Sequence, residues 1–126
     1  MKSVAICGSG RFKAEIREFA RKLKELGVVV YEPYLHPFKE WEGLPEDYKK
    51  FVALGLTHDH FYKIQMADVV FVYNKDGYVG NSTTLEIGYA VALGKPIYAL
   101  MSDEEICRHV LFREIISTPE ELGKKL

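Results

Sequence analysis

Apolar residues come in short runs that alternate with stretches spaced for helices. Val4-Ala5-Ile6-Cys7 is an apolar run closed by Gly8-Ser9-Gly10, after which Ile16, Phe19, Ala20, Leu23 and Leu26 recur at helical spacing. A strand, a tight loop and a helix are expected there. Gly27 stands where a helix C-terminal glycine belongs, and Val28-Val29-Val30-Tyr31 starts a β-branched run that Pro33 stops. Residues 33–47 hold three prolines, Trp41 and Gly43 without periodicity, which marks an irregular loop placed near a ligand as a lid or an interface. A helix follows from about 47 to 66, although Gly55 leaves two shorter helices open as an alternative. Val69-Val70-Phe71-Val72-Tyr73 is the clearest buried strand, and residues 74–80 form a turn-rich loop leading to a helix over about 82–93. Gly94-Lys95-Pro96 ends that helix. A fourth strand is expected over 96–101, a short helix over about 103–108 and a fifth strand over 110–116. Thr118-Pro119-Glu120-Glu121 has the cap, first-turn proline and third-position glutamate of a last helix.

Strands that alternate with helices through short connections predict a parallel sheet covered on both faces, because right-handed crossovers leave few other arrangements. The expected fold is a doubly wound, Rossmann-like α/β sandwich. Ligands in such sheets bind beyond the carboxyl ends of the strands, where the strand order reverses. That selects the loops after Cys7, Tyr31, Tyr73 and Met101.

A chain of 126 residues suits one domain over 1–126, and one site is sought. With 17 Lys and Arg against 18 Asp and Glu there is no basic excess to neutralise nucleic-acid phosphates, so no nucleic-acid partner is expected. Only Lys2 precedes the short first apolar run, and no run is long enough to span a membrane; a cytoplasmic protein without a membrane partner is expected. Cys7 and Cys107 lack ligand spacing or a disulfide framework and read as reduced, packed thiols.

Four groups of residues carry candidate chemistry. Gly8-Ser9-Gly10-Arg11 leads into a helix N-terminus, whose N–H groups and dipole favour an anion, and Arg11 adds a two-pronged donor. The plainer alternative is a tight turn in which Ser9 only caps the helix. Gly77-Tyr78-Val79-Gly80-Asn81-Ser82-Thr83-Thr84 brings two glycines, three hydroxyls and an amide to a second helix N-terminus, built like a phosphate cradle. Glu86 follows, expected within that helix's first turn beside the same pocket, as a nucleophile or a sugar anchor; Thr83-x-x-Glu86 equally fits a capping box. His58-Asp59-His60 falls within one helix, where neighbours point apart, so one of them is expected to face the pocket and no metal site is inferred. Tyr31, Tyr34, Trp41 and Tyr78 are candidates to stack on a base, or core filler.

Taken together, Ile6-Cys7-Gly8-Ser9-Gly10-Arg11-Phe12, His60-x-x-Lys63-Ile64-x-x-Ala67-Asp68, the stretch from Gly77 to Ser82-Thr83-x-x-Glu86-Ile87-Gly88-Tyr89-Ala90, and Gly94-Lys95-Pro96 resemble the nucleoside 2-deoxyribosyltransferase-like superfamily over nearly the whole chain. The Gly-Tyr-x-Gly-x-Ser-Thr form is similar to a poorly characterised branch of it. The resemblance implies a five-stranded flavodoxin-like sheet, order 2-1-3-4-5, and cleavage or exchange of the N-glycosidic bond of (deoxy)nucleosides or their 5′-monophosphates. It implies Glu86 as the nucleophile that attacks C1′. Gly8, Ser9 and Arg11, with Gly80, Asn81 and Ser82, would surround sugar and phosphate; Asp68 would be mainly structural. No cofactor is implied, and a homodimer or larger assembly is. His60 stands where the family usually has a base-handling aspartate, with Asp59 one position away, and Ala5 stands in place of a tyrosine that contacts the nucleophile. These departures keep a nucleotide-binding module without turnover as the alternative.

Overall fold

The computed structural model describes residues 2–35 and 41–126. Five strands form one parallel sheet: β1 (Ser3–Gly8), β2 (Val29–Tyr31), β3 (Val69–Tyr73), β4 (Ile97–Ala99) and β5 (Glu114–Ile115), in the order β2-β1-β3-β4-β5. That is the order expected, and the reversal between β1 and β3 opens a crevice at their carboxyl ends. Residues 36–40 of the proposed lid loop lie outside the described residues.

Alternation along the strands builds two cores. Val4, Ile6 and Phe71 face α1 (Lys13–Glu25) and α5 (Pro119–Lys125), joined by Ile16, Phe19, Leu23 and Leu122. Ala5, Cys7, Val70 and Val72 face the other way, against Ile64 of α2 (Glu46–Met66) and Ile87 and Ala90 of α3 (Asn81–Ala92). A strand buried on both faces must be apolar at every position, which is why β3 reads as an unbroken run.

Polar clamps hold the strand ends. Asp68 accepts from the Ser3 amide at 2.8 Å and the Ser3 hydroxyl at 3.1 Å, while its own amide donates back to Ser3 Oγ at 2.9 Å, tying the start of β3 to β1. Buried Asn74 donates to the Met101 carbonyl at 2.8 Å and accepts from the Met101 amide at 2.9 Å, which fixes the loops after β3 and β4 to one another. The last helix is capped as expected: Thr118 Oγ1 accepts from the Glu121 amide at 3.2 Å.

Two expectations are adjusted. α2 runs unbroken through Gly55, where an added Cβ would meet nothing within 4 Å; an exposed glycine costs a helix only about 1 kcal/mol, too little to split it. The fifth strand shrinks to two residues and α4 (Ile106–His109) runs into a turn, with the Leu111 and Phe112 amides bonded back to Arg108 and His109. Among the described residues no helix is long and apolar enough to cross a membrane.

Candidate active site

Beyond the carboxyl ends of β1 and β3 lies a cavity of about 550 Å³, a size suited to a small organic ligand. Its walls come from the loop after β1 (Gly8, Ser9, Gly10), the segment after β2 (Pro33, Tyr34, Leu35, Trp41), one face of α2 (Ala53, Leu56, Thr57, His60) and the start of α3 with its preceding Tyr78 (Gly80 to Thr83, then Glu86).

The first loop is short because β1 passes directly into a 3-10 turn over Gly10–Phe12. Ser9 Oγ accepts from the Arg11 amide at 3.2 Å, so the capping role anticipated for Ser9 is real, and Ser9 lines the cavity as well. Gly8 sits where strands crowd: a Cβ there would lie 3.2 Å from the Tyr73 carbonyl oxygen and 2.8 Å from Ile16 Cδ1. Arg11 does not line the cavity. Its guanidinium lies 3.6 Å from the centre of the Tyr78 ring, whose edge meets Phe12. The two loops proposed to grip an anion are thus stacked on one another.

The second loop turns through Asp76 and Gly77, both at positive φ, and delivers Gly80 as the cap of α3. No side chain caps this end; Thr84 Oγ1 instead donates to the Gly80 carbonyl at 2.9 Å. The capping-box alternative therefore fails: Thr83 is the third helical residue and Glu86 the sixth, in the second turn rather than the first, too far along to reach the cap amide. The helix start, with amides that have no partner inside the helix, faces the cavity.

Glu86 reaches the cavity floor from α3 with its side chain 13% exposed. Burial pushes its carboxyl up to about 7 against the lowering effects of Cys7 and Lys63. His60 stands beside it, Nε2 3.9 Å from Glu86 Oε1, and burial, then Lys63, pull its imidazole down to about 4. His60 Nε2 also lies 3.4 Å from Cys7 Sγ, and Nδ1 finds no hydrogen bond among the described residues. Of the His58-Asp59-His60 triplet only His60 faces inward. Asp59, proposed as an alternative to it, is exposed and pairs with Lys63 at 2.8 Å, because one residue along a helix turns the side chain by about 100°. His58 is exposed against Phe61.

Reading the sequence overlooked two contributions. Ala53, Leu56 and Thr57 precede His60 by seven, four and three residues, the helical spacing that marks one face once His60 is placed in the pocket. Cys107, expected to be packed, is exposed, whereas Cys7 is a free, buried thiol as expected, yet lies within 4.8 Å of the donor atoms of both His60 and Glu86; its place one residue before the Gly8 loop, on the sheet face covered by α2 and α3, was the signal.

Residues 6–117 match the family model described as nucleoside 2-deoxyribosyltransferase. Among solved structures, a 2-deoxyribosyltransferase from Bacillus psychrosaccharolyticus is similar at a TM-score of 0.71 and 17% identity, over 96% of this chain and 90% of that one. A conserved protein of Enterococcus faecalis V583 (TM-score 0.57, 19% identity, 98% and 96% covered) and a CMP N-glycosidase of Clostridium botulinum (0.57, 21%, 98% and 97%) share the fold. No curated protein is similar enough to match.

Proposed function

This chain belongs to the nucleoside 2-deoxyribosyltransferase family, and from that premise we propose that it breaks the N-glycosidic bond of a (deoxy)nucleoside 5′-monophosphate, with Glu86 as nucleophile. The observation that carries this reading is the placement of one largely buried carboxyl, its side chain 13% exposed, at the floor of a cavity whose rim is formed by two glycine loops and a helix N-terminus. In the first step a Glu86 oxygen bonds to C1′ while the C1′–N bond breaks; the base leaves with the bonding pair and takes up a proton. Water or a second base then releases the sugar from Glu86. The amides at the start of α3 and the Gly8 to Gly10 loop hold the phosphate, with Arg11 at its outer edge. Tyr34, Trp41 and Tyr78 offer ring faces to the base.

One observation favours the second reading, nucleotide binding without turnover. Among the described cavity-lining residues Glu86 is the only carboxylate, and His60, neutral at pH 7, is a weak proton donor for a departing base. The test is incubation of the wild type and Glu86→Ala with nucleosides and 5′-monophosphates, following free base by chromatography. Release by the wild type alone supports the enzyme; binding with intact recovery supports the module.

We further propose one domain over residues 1–126, a cytoplasmic location, and assembly into at least a dimer. α2 leaves Phe51, Leu54, Tyr62 and Met66 exposed, and α3 adds Leu85, an apolar surface suited to a second copy. Light scattering that finds only monomer overturns the last of these.

A further inference from the structure

We infer that Cys7, His60 and Glu86 together form a binding site for a soft divalent cation, zinc foremost, at the floor of the cavity. The three side chains come from three separate elements, β1, α2 and α3, so nothing in local chain geometry forces them together. They nevertheless bring a sulfur, an imidazole nitrogen and a carboxylate oxygen within 4.8 Å of one another. Two of the separations are 3.4 Å, from Cys7 Sγ to His60 Nε2, and 3.9 Å, from His60 Nε2 to Glu86 Oε1. A tetrahedral zinc ion with Zn–S near 2.3 Å and Zn–N and Zn–O near 2.0–2.2 Å sets its donors roughly 3.3–3.6 Å apart. The observed cluster needs only a small closing movement to meet that geometry.

The donor types narrow the ion. Thiolate and imidazole select zinc and its soft neighbours over magnesium or calcium, which take oxygen ligands. Cys7 is buried in the packed interior while His60 and Glu86 line the cavity, so an ion enters from the cavity and the fourth coordination position faces back into it. Binding replaces the thiol proton by the metal, the proton passing to solvent. The site differs from the proposed reaction in one consequence: a Glu86 oxygen bound to the ion is not free to attack a sugar. Ion binding stands without the glycosidic reading, whereas inhibition by the ion rests on it.

The experiment titrates protein carrying Cys107→Ser, which removes the exposed second thiol, with Co²⁺ and then Zn²⁺. One ion per chain, with a thiolate-to-cobalt absorption band in the near ultraviolet that Zn²⁺ displaces, is expected. Cys7→Ala in this background removes the band. Glu86→Gln, at the cavity wall and outside the β1 core, keeps the band but weakens zinc by more than the roughly 10–100-fold typical of losing an outer-shell partner. Absence of the band in the Cys107→Ser protein, or equal zinc affinity with and without Glu86→Gln, overturns the site. These readouts do not depend on turnover, so a protein that releases no base still tests them; if base release does occur, zinc suppresses it and a chelator restores it.

Discussion

Nε2 of His60 stands 3.9 Å from a carboxylate oxygen of Glu86, and burial drives the two groups in opposite directions, the imidazole down to about 4 and the carboxyl up to about 7. Their effects on stability oppose one another. Between about pH 4.5 and 6.5 the unfolded chain holds a proton on His60 and none on Glu86, whereas the folded chain holds one on Glu86 and none on His60. The proton counts match, so the pair gives no slope of stability with pH in that window. Removing one partner exposes the other. Glu86→Gln is expected to grow more stable as pH rises from about 4 to 6.5, because only the unfolded chain then binds the His60 proton. His60→Gln is expected to lose stability as pH rises from about 4.5 to 7. Each change amounts to at most about 3 kcal/mol, read from urea midpoints across pH; parallel profiles for all three proteins would refute the opposed shifts.

A nucleophilic carboxylate must be ionised. With Glu86 near 7, kcat/KM for base release should rise about tenfold per pH unit below that value and level off above it. The Cys7 thiol lowers the Glu86 pKa, so Cys7→Ala is expected to move this limb to higher pH. A profile flat from pH 5 to 8 would remove Glu86 from the chemistry. Glu86→Ala is expected to cost on the order of 10⁴-fold or more in kcat.

The parallel sheet was legible because its strands are short apolar runs punctuated by glycine and proline, whereas its order came from the family resemblance, since parallel connections alone allow other orders. The two glycine loops were legible for the same reason, since each follows a strand and opens a helix. Thr83-x-x-Glu86 left two readings open because a capping box and a helix-face pair share one spacing; only the position of Gly80 as the cap separates them. Asp59 against His60 turned on helix phase, which a single inward residue cannot set. The place of Cys7 before the Gly8 loop marked its sheet face, but its distance from His60 and Glu86 depends on how α2 and α3 pack on β1.

Arg11 stacked on Tyr78 joins the two loops at the rim. If Arg11 meets a 5′-phosphate, Arg11→Ala should raise KM for a monophosphate by about 10–100-fold, the worth of a hydrogen bond to a charged group, and leave the matching nucleoside nearly unchanged. Tyr78→Phe keeps the ring face and should behave as wild type, whereas Tyr78→Leu frees the guanidinium and should reproduce part of the Arg11→Ala loss. Equal losses for nucleotide and nucleoside would mean that the stack supports the loops and does not recognise phosphate.

Gly8 and Gly10 both line the cavity, but only one is crowded by the protein. A Cβ at Gly8 meets the Tyr73 carbonyl oxygen at 3.2 Å and Tyr73 Cβ at 3.3 Å, atoms anchored in the neighbouring strand, besides the movable tip of Ile16. Gly8→Ala should therefore cost about 1–3 kcal/mol of stability, as overpacking does. At Gly10 a Cβ meets nothing within 4 Å, and Gly10→Ala should leave the denaturation midpoint within experimental scatter. Its effect on turnover is then informative by itself. A Gly10→Ala protein of unchanged stability that binds 5′-monophosphates at least tenfold more weakly shows that the backbone there approaches the ligand closely, whereas unchanged binding would confine the anion to the α3 N-terminus.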